Sequence, residues 1–95
     1  MEIKTQAFAG SMESNDVLIM VRQGNGLEIE LDSPLKKQFG KQIIEVIEKT
    51  VKRLGVDNIY INVQDMGALN CTIEARCEAA IRRACENEEY AWEVK

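Results

Sequence analysis

Serine, cysteine and carboxylate side chains are the groups in this chain that could do chemistry. They crowd most closely in "AGSMESNDVLIMV", residues 9–21. Ser11 and Ser14 lie there among Glu13, Asn15 and Asp16, just ahead of an apolar block. A serine that attacks substrate needs a base. The 95-residue sequence holds no histidine, so a Ser-His-Asp triad is ruled out. A Ser-Lys arrangement is conceivable, but no lysine sits in a recognisable motif. A second kind of serine chemistry needs no internal base. A serine in an accessible, polar segment can be a nucleophile once, toward a modifying enzyme that brings its own base. "GSMESND" has that character.

Other motifs offer little. Cys71, Cys77 and Cys85 are odd in number and spaced six and eight residues apart. Neither spacing is a C-x-x-C pair, and zinc would need unusual ligands without histidine. They read as free thiols packed as small hydrophobes. "GNGLEI" begins like a dinucleotide loop, but Ile29 stands at the last glycine position and no helix follows. "NCT" at 70–72 is a chance glycosylation sequon in a chain expected to be cytoplasmic. The many carboxylates read as solvated faces. On its chemistry the chain does not look like an enzyme.

The elements that position Ser14 follow from patterning. Length and composition fit one globular domain, 1–95, with 45% hydrophobic and 29% charged residues. No apolar run approaches a membrane span, and "MEIKTQAFAG" lacks the layout of a signal peptide. "VLIMV" (17–21) reads as a buried strand, "RQGNG" as a turn and "LEIEL" (27–31) as an alternating strand with Leu27, Ile29 and Leu31 facing in. Together they predict a β-hairpin. Ser33 and Pro34 open a helix that Gly55 ends, with Leu35, Phe39, Ile43, Ile47, Val51 and Leu54 as its apolar stripe. "NIYINVQ" (58–64) is a further strand, and "CTIEARCEAAIRRACE" a second helix with Ile73, Cys77, Ala80, Ile81 and Ala84 as its stripe. A further strand near 5–9 and an edge strand at 90–94 remain open. Residues 1–16 read as a flexible segment, and 87–95 as an acidic tail carrying Tyr90 and Trp92. The order is β-β-α-β-α: an α+β fold with a small antiparallel-rich sheet packed against two helices.

The net charge of −4 opposes nucleic acid as a partner. Basic residues concentrate in 34–55, so an acidic surface should carry one basic helix. Such a surface suits a basic partner, with Glu28, Glu30 and Asp32 as candidate contacts, or serves solubility alone.

Three blocks, "AGSMESNDVLI" (9–19), "GLEIELDSPLKKQFGKQI" (26–43) and "DMGALNCTIEARCEAAIRRA" (65–84), resemble in order and spacing the acyl carrier (gamma) subunits of bacterial citrate lyase. The resemblance covers nearly the whole chain. It implies that Ser14, within "ESND", carries a covalent 2'-(5''-phosphoribosyl)-3'-dephospho-CoA group through a phosphodiester, attached by a transferase. Ser11 falls where the family tolerates other residues. The resemblance further implies a relay between two partners. The alpha subunit exchanges acetyl for citrate on the arm's thiol, and the beta subunit cleaves the citryl group to oxaloacetate and restores the acetyl thioester. The carrier contributes no catalytic side chain, binds neither nucleic acid nor membrane, and works in the cytoplasm. The pattern differs from the four-helix-bundle carriers, which present an Asp-Ser-Leu motif at a helix start, so a helical bundle is not expected. Two other readings compete: a small regulatory or assembly domain without a prosthetic group, and a KH-like RNA-binding domain. The second lacks its G-x-x-G loop.

Overall fold

Alternation of side chains dictates one greasy face. Val17, Ile19 and Val21 of β2 (Val17–Gln23) and Ile59, Ile61 and Val63 of β4 (Ile59–Asp65) are all fully buried. The register sets Ile19 opposite Val63 and Val21 opposite Ile61, so the two rows form one apolar surface. Ala9 of β1 (Ala7–Gly10) extends it opposite Ile19, and Ile29 and Leu31 of β3 (Leu27–Asp32) extend it on the other side, half-buried. The computed structural model describes residues 2–85. The tail 87–95, and the strand considered at 90–94, lie outside them.

Two helices cover this face. α1 (Lys36–Leu54) buries Ile43, Ile47 and Val51, and α2 (Asn70–Cys85) buries Ile73, Cys77, Ala80, Ile81 and Ala84, the stripe expected from its sequence. Thr50, also buried on α1, donates its hydroxyl to the Val46 carbonyl at 2.8 Å. Gly55 ends α1 with φ 69, its N–H bonded to Lys52 O and that of Val56 to Val51 O, a Schellman pair. Arg53 bridges from α1 to Glu74 (3.4 Å) and Glu78 (2.8 Å), relieving the like-charge pair that those two make on α2. The backbone N–H groups of Lys4 and Thr5 both reach the Ala84 carbonyl, tying the N-terminal segment to the last turn of α2. On the opposite sheet face Gln64 donates to Asn62 and Asn62 to Tyr60, whose hydroxyl donates to Glu30, while Arg22 stacks 4.0 Å over the Tyr60 ring.

The fold is α+β, as the patterning predicts, and not a helical bundle. Its strand order, β1-β2-β4-β3, corrects the expected hairpin. β2 and β3 do not pair. β2 pairs antiparallel with β1 and β4, and β3 pairs parallel with β4. The hairpin is β1–β2, which settles the strand near 5–9 at Ala7–Gly10. "GNG" is an arch over the start of β4. The Gly24 N–H reaches the Asn58 carbonyl at 3.4 Å, Ile59 N–H reaches Gly26 O at 2.9 Å, and the Asn58 side chain accepts from Gly26 N–H. A Cβ on Gly24 would stand 2.7 Å from the Ile59 carbonyl carbon, so glycine is there for close passage and not for a two-residue turn. Leu27, expected inside, is 43% exposed at the outer corner of β3.

The start of α1 also differs from expectation. Ser33 and Pro34 precede the helix, and Leu35 occupies the cap position without a side-chain cap bond. Ser33 instead points inward, donating to Asp65 at 2.8 Å and accepting from the Leu35 N–H at 3.1 Å. Gly24→Ala should lower unfolding stability by about 2–3 kcal/mol through overpacking against backbone. Gly55→Ala, where no atom lies within 4 Å of the added Cβ, should cost about 1 kcal/mol for its left-handed φ. Urea titration of both variants checks the order, and equal losses would refute the close passage at Gly24.

Candidate functional site

The register brings three connections to one end of the sheet. Val17, at the start of β2, pairs with Asp65 at the end of β4, and Asp32, at the end of β3, pairs with Gln64. The β1–β2 loop (11–16), the β3–α1 connection and the β4–α2 turn therefore gather there, with the N-terminal ends of both helices. Neither helix has an acidic residue in its first turn. The partial positive charge at those ends is thus not neutralised from within the helices.

The loop that bears Ser14 is fastened at both roots. Gly10 turns with φ 99, and its would-be Cβ falls 1.8 Å from the Val17 carbonyl oxygen. Only glycine lets the chain leave β1 so close to β2. Ser11 N–H then donates to that same carbonyl at 3.1 Å. Asn15 adopts a left-handed φ of 66, a conformation Asn tolerates, and donates its N–H to Met66 O at 2.8 Å. Met66 N–H returns to Asp16 O at 2.9 Å, carrying the β2–β4 ladder past the ends of the strands.

Asp16 is the hub. Its carboxylate accepts from Ser11 Oγ at 2.7 Å, from Val17 N–H at 2.8 Å, and from Arg76 Nε at 3.2 Å and Nη2 at 3.1 Å. The Arg76 contact is a two-pronged fork reaching across from α2. These donors, the Ser11 hydroxyl foremost, then the Val17 amide and Arg76, hold the carboxyl down to about 2. A second aspartate braces the neighbouring connections. Asp65, 2% exposed, accepts from Ser33 Oγ and from the N–H groups of Gly67 (3.1 Å) and Ala68 (2.9 Å). It joins the β3–α1 and β4–α2 connections.

Ser14 sits at the tip of this fastened loop. It is exposed, and among the described residues its hydroxyl takes no hydrogen bond. Ser11, its neighbour, is committed to Asp16. The two serines therefore have different jobs: one braces the loop, the other is left open to solvent. Residues 1–16, read as flexible from sequence, contain β1, the buried Ile3 and this bonded loop. Arg76 and Asp65 were not singled out by the sequence reading. Both lie in the block 65–84, and the run "DMG" is a turn-forming signal that points to Asp65.

Cys77 is buried and its thiol is pushed up to about 12 by desolvation, while Cys71 is exposed and Cys85 half-buried. Among the described residues no three His, Cys, Asp or Glu side chains cluster to hold a metal ion, and no helix is long and apolar enough to cross a membrane.

Residues 4–84 match the family described as malonate decarboxylase delta subunit (MdcD), an acyl carrier family. The chain is 50% identical to the citrate lyase acyl carrier protein of Clostridium perfringens, over 97% of this chain and 93% of that one. It is also 50% identical to the citrate lyase acyl carrier protein of Lactiplantibacillus plantarum, over 99% of each. In fold it is similar to a chain in the crystal structure of a Pseudomonas malonate decarboxylase hetero-tetramer in complex with malonate, with a TM-score of 0.75 and 17% identity over 85% of this chain and 84% of that one. The chain belongs to this acyl carrier protein family: it is a carrier subunit and not an enzyme by itself.

Proposed function

We propose that this chain is the acyl carrier subunit of a citrate lyase and that Ser14 anchors its prosthetic group, 2'-(5''-phosphoribosyl)-3'-dephospho-CoA. The observation that carries this reading is the contrast between the two loop serines: Ser11 is consumed by Asp16, and Ser14 is exposed and, among the described residues, unpartnered. The group supplies a terminal thiol, which holds an acyl group as a thioester. The partners are the alpha and beta subunits and a prosthetic-group transferase, and the compartment is the cytoplasm.

The residues around Ser14 suit a phosphodiester. The transferase supplies the base that takes the Ser14 proton, and Ser14 Oγ attacks the phosphorus of a phosphoanhydride-activated form of the group; the P–O bond to the donor's leaving phosphate breaks as the Ser14 O–P bond forms, and that phosphate departs with the transferase. The new anion would lie two residues from Asp16. Arg76 neutralises that carboxylate, which lowers the repulsion. The N-terminal ends of α1 and α2 face the same end of the sheet and favour negative charge there. Rigid roots at Gly10 and Asp16 leave the arm to supply all the reach. A tether of this kind replaces diffusion with an effective concentration of order mM at each partner's active site.

Protein purified from its native host should carry a single large mass increment that Ser14→Ala abolishes and Ser11→Ala retains. Ser14→Ala should keep its stability within about 0.5 kcal/mol, because the side chain is exposed and unbonded. An increment that survives Ser14→Ala, read by intact mass spectrometry, would falsify the assignment. Asp16→Asn should slow attachment by roughly tenfold or more by loosening the loop, and Arg76→Lys should act in the same direction because lysine cannot form the fork. Transferase kinetics on purified variants decide this, and unchanged rates would remove Asp16 from its positioning role.

The pH dependence follows from the same carboxylate. Its folded value, about 2, lies below the ordinary aspartate value of 3.8, so the folded state favours the ionised form. The stabilisation is present above the ordinary value and is lost as pH falls through about 2. The melting-temperature gap between the wild type and Asp16→Asn should therefore be flat from pH 5 to 8 and close toward about pH 2.

A further inference from the structure

Among the described residues, most of the exposed large apolar side chains lie at the end of the sheet that carries the Ser14 loop, with Phe8 and Leu27 the exceptions. Leu35 (41% exposed), Phe39 (46%) and Leu69 (72%) line an open groove of about 350 Å³ between the start of α1 and the β4–α2 turn, floored by Ile43 and Ala68. Leu35 and Phe39 belong to the apolar stripe of α1, but here the stripe runs on beyond the sheet, and both side chains stay exposed among the described residues. Met66 and Met12, also exposed, continue the surface toward the loop. The groove reaches the loop through Gly67, whose Cβ position lies 3.6 Å from Asn15 Oδ1, one residue from Ser14. Large apolar side chains clustered this way cost solubility and mark contact surfaces.

We infer that this groove is the docking surface for the acyl-processing enzyme subunits, each of which seats an apolar side chain there as the arm on Ser14 enters its active site. Two observations select that occupant. The first is position. Whatever receives an arm rooted at Ser14 must close over the ground beside it, and the groove begins one residue away. The second is charge. The ionisable side chain in the lining is Asp65, and it is buried and committed to Ser33, Gly67 and Ala68. In a protein of net charge −4, the surface beside the arm is therefore neutral and greasy. It suits apolar contact and not the basic partner face expected of Glu28, Glu30 and Asp32. Desolvated aromatic and aliphatic anchors of this kind dominate interface energies.

The inference rests on Ser14 as the arm's root, so its test uses a chain that carries no arm. In the Ser14→Ala background, binding to each purified catalytic subunit is measured by calorimetry, with and without Phe39→Ser plus Leu69→Ser. Leu27→Ser, an exposed apolar site at the far end of β3, is the control. Affinity should fall roughly tenfold or more with the groove variant and stay within about twofold for the control. Melting curves establish that each variant is folded. Equal affinity for the groove variant and its parent, or an equal loss with Leu27→Ser, would overturn the proposal. So would chemical-shift changes at Phe39 and Leu69 when the isolated wild-type chain acquires its arm, since the arm itself would then fill the groove. A wrong anchor residue shows separately, as a mass increment that survives Ser14→Ala while the groove result stands.

Discussion

Both edges of β4 are hydrogen-bonded, antiparallel to β2 on one side and parallel to β3 on the other. That double pairing fixes more than the middle of the sheet. It sets the start of β2 against the end of β4, so the loop leading into β2 and the turn leaving β4 must meet. The Asn15–Met66 and Met66–Asp16 hydrogen bonds are the continuation of that ladder beyond the strands. The loop that bears Ser14 is held, in effect, by the most buried strand among the described residues. A loop held by an edge strand would inherit the fraying of that edge.

Two aspartates complete the end of the sheet, and they work alike. Each takes a serine hydroxyl and backbone N–H groups, and each joins segments far apart in sequence. Asp65 reaches Ser33 across 32 residues, and Arg76 reaches Asp16 across 60. Asp16, partly open to solvent, pairs with an arginine, whereas Asp65, buried, is satisfied by hydrogen-bond donors alone. Among the described residues, no buried side-chain polar atom is without a partner, so this concentration of polar groups is fully satisfied.

Local pattern was readable wherever one face is greasy. The alternation in β2 and β4, the five-residue stripe of α2 and the Gly55 cap all follow from period and residue type, because burial enforces them. Pairing was not readable. "VLIMVRQGNGLEIEL" satisfies every local rule for a hairpin, yet β4, thirty-odd residues later, takes the place between its two strands. Only the whole set of apolar faces decides that competition: β4 is buried on its inner face from end to end, β3 only in part, and the better-covered strand goes to the centre. The segment was singled out by its accessible, polar character, and Ser14 within it by family resemblance. Its bracing was not, since a bidentate contact from Arg76 spans a separation no local window contains. The exposure of Leu35 and Phe39 was hidden for the opposite reason: a periodic stripe tells which face of a helix is apolar, and not how far its cover extends.

A carrier must combine reach with direction, and the chain divides these between chemistry and fold. A floppy root would add little to the reach of a long flexible arm, since end-to-end distance grows only as the square root of length. It would, however, smear the direction in which the arm leaves. Gly10 and Asp16 hold the loop ends, and the left-handed Asn15 turns the tip. Orientation is thus settled before any partner arrives, and binding need not spend free energy on ordering the loop. On the proposed reading, the same economy accounts for an exposed apolar groove beside the loop. On the proposed reading, contact and delivery use one rigid body, so the geometry that seats a partner also aims the arm.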